Sequence, residues 1–87
     1  MNKIESPLRE ILRGYCHVEW FEIEDLREKI THRRIAIDSS LLSSQLLTLK
    51  SQESLPIEEI NSITSNEFES NSEARAWLDF IYEKVFL

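Results

Sequence analysis

Apolar side chains recur every three or four positions along most of this 87-residue chain, the spacing that gathers them on one face of an α-helix. Leu8, Ile11, Leu12 and Tyr15 follow Ser6-Pro7, where serine suits a helix cap and proline suits the first helical position. They predict a short helix ending near Gly14. Val18 and Trp20 alternate as strand residues do, but Ile23, Leu26 and Ile30 continue at helical intervals, so a second helix is expected over about 19–33. Its polar side would carry Glu24 with Glu28, Asp25 with Lys29 and Glu28 with His32. Asp38 suits the cap of a third helix that bears Leu41, Leu42, Leu46, Leu47 and Leu49 and ends near Gln52. Ile35-Ala36-Ile37 before it reads as a buried connection, with a two-strand arrangement as the alternative. Pro56 opens a fourth, short helix with Ile57, Ile60 and Ile63. Finally, Ser70 and Glu73 stand in capping-box spacing ahead of Ala74, Trp77, Leu78, Ile81 and Val85, which share one helical face.

These elements predict an all-α fold, a single domain over 1–87 built as a small four- to five-helix bundle. Its core should set Trp77, Leu78, Ile81 and Val85 against Leu12, Leu26, Ile30 and Leu46. One glycine and two prolines among 87 residues agree with a largely helical chain. No apolar run approaches the ~18 residues that a membrane span needs, so no membrane partner is expected. Met1-Asn2-Lys3-Ile4-Glu5, followed by Pro7, lacks the uninterrupted apolar core of a signal peptide. The lone Cys16 allows no internal disulfide, and a cytoplasmic location is expected.

Charge changes the picture more than composition does. The net charge is −6, and it is unevenly placed. Residues 1–50 hold eight basic and eight acidic side chains, whereas 51–87 hold eight acidic side chains against Arg75 and Lys84 alone. Residues 51–74 contain neither lysine nor arginine, yet include Glu53, Glu58, Glu59, Glu67, Glu69 and Glu73. Such a field repels nucleic acid and anionic lipid and attracts a basic protein partner. These six glutamates, with Phe68 as an exposed aromatic anchor, form the candidate partner-binding surface. Trp77 and Tyr82 are expected in the core instead.

Other chemistry finds little footing. Cys16-His17 are adjacent, but adjacency alone makes no nucleophile and base without a third orienting group. Cys16, His17, His32 and the scattered carboxylates follow no metal-ligand spacing, and the single Gly14 cannot build a phosphate-cradling loop, so neither metal nor cofactor is expected. His32-Arg33-Arg34 is too small a basic cluster for a nucleic-acid footprint and suits a helix C-terminus. The chain is therefore expected to bind rather than catalyse. A second class of function is a helical adaptor that receives a partner helix in an apolar groove near Trp20 and Phe21.

Ile11-Leu12-Arg13-Gly14 followed by Phe21, Arg33-Arg34 at the close of the second helix, and the terminal Glu73-Ala74-Arg75-Ala76-Trp77-Leu78-Asp79-Phe80-Ile81-Tyr82-Glu83-Lys84 form a recognisable series. On these residues the chain resembles the small helical immunity proteins that neutralise colicin-type nucleases, the colicin D immunity family above all. Residues 35–68 do not contribute to the likeness. The resemblance implies a bundle that binds a basic, transfer-RNA-cleaving domain and fills its cleft with carboxylates. Immunity proteins of contact-dependent inhibition systems would play the same part on other toxin domains.

Overall fold

The computed structural model describes residues 4–34 and 36–87. Along them run α1 (Leu8–Tyr15), β1 (Cys16–His17), β2 (Trp20–Phe21), α2 (Ile23–Thr31), α3 (Ser39–Lys50), α4 (Ile57–Thr64) and α5 (Asn71–Phe86). The fold is mostly helical, but the all-α expectation requires a correction: β1 and β2 pair as an antiparallel hairpin, Cys16 opposite Phe21 and His17 opposite Trp20.

The hairpin displaces the first third of the expected second helix. Three backbone bonds account for it. Val18 N–H donates to the Thr64 carbonyl at 2.8 Å, Glu22 N–H donates to the Tyr15 carbonyl at 2.7 Å, and the helix proper begins only when Leu26 N–H reaches back to Glu22. Cys16 of β1 is fully buried in the same core. With the start moved to Ile23, Glu24 and Asp25 fall in the first turn, where the helix dipole favours acids. The end near Arg33 is as expected. Arg34 N–H donates to the Lys29 carbonyl and Arg33 N–H to the Ile30 carbonyl, a Schellman closure with Arg33 in the left-handed region at φ 54°.

The other helices start where their capping residues stand. Asp38 accepts from Ser40 N–H at 2.9 Å and Leu41 N–H at 3.2 Å. The Ser70 hydroxyl accepts from Glu73 N–H, and the Glu73 carboxylate takes Glu69 N–H at 3.1 Å, one residue outside the usual reciprocal partner. Ser6 departs from expectation. Its hydroxyl donates to the Glu10 carboxylate instead of capping α1, and this bond, first among several causes, holds Glu10 below the usual carboxylate range. The cap is tertiary: Gln45 of α3 accepts from Leu8 N–H at 3.1 Å and donates to the Ser6 carbonyl at 2.9 Å.

α5 packs on α2 and α3, while α1 packs on α4 and β1 and touches α2 and α3. All five helices, with Ile4, Cys16 and Leu55, contribute to one buried cluster. It contains Leu12, Leu26, Leu46, Leu78, Ile81 and Val85 as expected, with Trp77 and Ile30 half-buried against its edge. Of the connection at 35–37, Ile35 lies outside the described residues. Ala36 is exposed and Ile37 half-buried, and both sit in a bend, so neither a strand nor a wholly buried link is formed there by these two.

Candidate functional site

Glu67, Glu69 and Glu73 lie in or just after the connection from α4 to α5, and the local sequence makes that connection. α4 ends at Ser65, which takes a left-handed φ of 59° and turns the chain back. Thr64, fully buried, donates its hydroxyl to the Ile60 carbonyl at 2.7 Å and accepts from the Asn66 amide at 2.8 Å. Asn61 then clamps the returning strand of chain: its amide donates to the Phe68 carbonyl at 3.0 Å and its oxygen accepts from Phe68 N–H at 3.1 Å. Glu67 and Glu69 flank that clamped residue, and Glu58 lies one helical turn before Asn61. On the other side, Asn71 accepts from Leu55 N–H at 3.1 Å, and Arg75 donates to the carbonyls of Lys50, Gln52 and Glu53. Glu53 is thereby carried beside the first turns of α5, which bear Glu73.

The six expected glutamates divide into two kinds. Glu59 forms an ion pair with Arg9 of α1 at 2.7 Å, accepts from Ile4 N–H at 3.0 Å, and leaves its side chain 14% exposed. It clasps α4 to α1 and to the amino-terminal segment. Glu53, Glu58, Glu67, Glu69 and Glu73 are exposed. The ion pairs among the described residues are Arg9–Glu59, Lys29–Asp25, Arg34–Glu28 and Lys50–Asp79, so none neutralises these five carboxylates. Arg75, the cation nearest in sequence to Glu67, Glu69 and Glu73, spends its guanidinium on main-chain carbonyls.

Phe68 corrects the expectation of an exposed anchor. It is half-buried, packs on the core, and meets Trp77 with ring centroids 5.3 Å apart. The Asn61 clamp holds both of its main-chain groups, so the ring is turned inward to α5 while its acidic neighbours face water.

Exposed aromatic surface lies elsewhere. Trp20 is 43% exposed, Phe21 40% and Phe80 41%. Phe21 and Phe80 stack loosely at 6.2 Å, Lys84 lies 5.7 Å from the Phe80 ring, and Trp20 stacks on His17 at 3.9 Å with an interplanar angle of 11°. The part played by Phe80 is not visible in the sequence, where it sits beside the apolar face of α5. The alternation of Val18 and Trp20 was the available signal for the hairpin.

Cys16 and His17 do not form a reactive pair. Burial pushes the Cys16 thiol up to about 12, far from a thiolate at neutral pH. His17 Nδ1 accepts from Glu19 N–H at 3.0 Å, which assigns the ring hydrogen of the neutral form to Nε2, 2.9 Å from the Ser65 hydroxyl. Its polar atoms are thus committed to the hairpin turn and the end of α4. Among the described residues no three His, Cys, Asp or Glu side chains gather as a metal-binding group, and no helix is long and apolar enough to cross a membrane.

Comparison with known proteins gives no matching family model, no matching curated protein and no matching solved structure.

Proposed function

We propose that this chain is an acidic binding protein that neutralises a cognate basic nuclease toxin, of the bacteriocin or contact-dependent inhibition kind, by occupying the toxin's nucleic-acid cleft. One observation supports the reading: Glu53, Glu58, Glu67, Glu69 and Glu73 are exposed, none is in an ion pair among the described residues, and Glu67, Glu69 and Glu73 fall within seven residues of chain fixed by the Asn61 clamp and the Ser70 cap. Carboxylates so placed would stand where phosphates sit on a nuclease. The family resemblance of the sequence points the same way. The field would steer encounter toward ~10⁸ M⁻¹s⁻¹ at low salt, and a few desolvated charge pairs, each coupled by about 1.5–7 kcal/mol, would hold the complex. Glu59 would support the surface by fixing α4 and take little direct part, because Arg9 already occupies it.

The test is binding kinetics against a basic nuclease domain encoded beside this chain. Association of the parent should slow steeply between low and physiological salt. Glu67→Gln with Glu69→Gln, and separately Glu58→Gln, should lower the low-salt association rate, by about tenfold for the double change. The adaptor reading retains one specific support, the exposed Trp20, Phe21 and Phe80 rings. Salt-independent binding that survives all three glutamine changes but is lost with Trp20→Ala or Phe21→Ala would replace the acidic-surface reading with that one.

A further inference from the structure

Away from the acidic junction, a groove of about 320 Å³ opens between α1, the hairpin and α4, lined by Arg9, Arg13, His17, Trp20, Ser62 and Ile63. We infer that this groove binds an aromatic carboxylate, with the ring against the Trp20–His17 stack and the carboxylate on the Arg13 guanidinium.

The inference begins from which groups are already used. Arg9 and Arg13 lie one helical turn apart, so their charges are close neighbours. Glu59 neutralises Arg9 at 2.7 Å. Among the described residues Arg13 has no side-chain partner, and it is exposed. Both His17 nitrogens are engaged, by Glu19 N–H and the Ser65 hydroxyl, and the Trp20 indole N–H donates to the Arg13 carbonyl at 3.3 Å. What the groove still offers is therefore one planar, five-donor cation, the Ser62 hydroxyl, and a rigid aromatic wall with apolar Ile63 beside it. Arg13's fork matches a carboxylate through two parallel bonds. Trp20 and His17 stack face to face and nearly parallel, so the wall presents one outer ring face, and it is held in place by the indole bond to α1. A ring stacked there would gain contact area at little ordering cost.

Charge selects a carboxylate over a phosphate monoester. The unpaired positive charge in the groove is a single guanidinium, which a monoanion balances one for one. A phosphate monoester would add a further negative charge to a molecule already at −6. The volume lies at the lower end of the range of small-ligand sites, room for one ring and its acid group. Two sources supply this chemistry, a free aromatic acid or an aromatic residue at the carboxyl terminus of another chain.

The experiment is a titration of the full chain followed by the indole N–H resonance of Trp20, which is distinct from that of Trp77. The probes are 3-phenylpropionate for the free acid and acetyl-Gly-Phe for the chain terminus, with acetyl-Gly-Phe amide and phenyl phosphate as controls. Saturable shifts are expected with at least one carboxylate. Affinity should fall at least tenfold with the amide and with Arg13→Gln, an exposed site whose replacement leaves the remaining spectrum in place. The tighter of the two carboxylates identifies the source. Equal binding of acid and amide, undiminished binding by the Arg13→Gln variant, tighter binding of phenyl phosphate, or no saturation by either carboxylate would each overturn the assignment.

Discussion

The acidic junction and the hairpin corner draw on different mixes of local and distant contacts. At the junction, many side chains bind main chain a few residues away: Ser70 with Glu73, Glu73 with Glu69, Thr64 with Ile60, and Asn61 with Phe68. At the corner, the fixing contacts come from distant sequence, Val18 to Thr64, His17 to Ser65, and Phe21 to Phe80. The first arrangement consumes amides and serines and leaves carboxylates facing water. The second consumes ring nitrogens and peptide groups and leaves aromatic faces uncovered. Each corner therefore presents the chemistry that its own construction does not need.

Leu12, fully buried on α1, lies between the elements that carry both corners, and its truncation is the most severe way to test whether they share one core. Leu12→Ala should cost about 2–5 kcal/mol, read as a lowered urea midpoint, with the hairpin and junction signals lost in a single step. Separate transitions for the two corners would break the comparison. Asn61→Ala should cost about 1–3 kcal/mol, because it strips both partners from Phe68 in a half-buried setting. It sharpens the contrast: amide exchange at Phe68 should quicken, while that of Val18 keeps its parental offset from global unfolding.

The smallest effect appears only in alkali. Burial raises the folded Cys16 thiol from its ordinary 9.0 to about 12, so its contribution to stability is complete below pH 9 and declines as pH rises toward 12. Between pH 8 and pH 10 the parent should lose roughly 1 kcal/mol more than Cys16→Ala does, measured by paired urea denaturations. Equal losses would mean that the hairpin opens to solvent without the core.

The contrast also explains what the sequence could reveal. Asp38, Ser70 and Glu73 announce the starts of α3 and α5 because a cap is a contract between near neighbours, and those helices begin within a residue of expectation. The run of glutamates without a cation is likewise a local property, and five of the six are exposed as read. Glu59 escaped because its partner, Arg9, lies fifty positions away. Phe68 escaped because an aromatic in a polar segment reads as exposed until Asn61 and Trp77 are brought to it. The hairpin was overruled by Ile23, Leu26 and Ile30, whose helical spacing is real but begins later than Glu19. Nothing near Ser6 in sequence announces that Gln45 will close the first helix in its place.

The grip of Arg75 on the carbonyls of Lys50, Gln52 and Glu53 has a dynamic consequence. Helix ends ordinarily fray, since their last carbonyls have only water to turn to. Here the last turn of α3 is held by a side chain of α5, and Lys50 returns the hold by donating to Asp79 at 2.7 Å. The end of α3 cannot loosen without breaking bonds to the body of α5. Hydrogen exchange of the amides in the final turn of α3 should therefore require the same opening free energy as the centre of α5, making these two helices one cooperative unit.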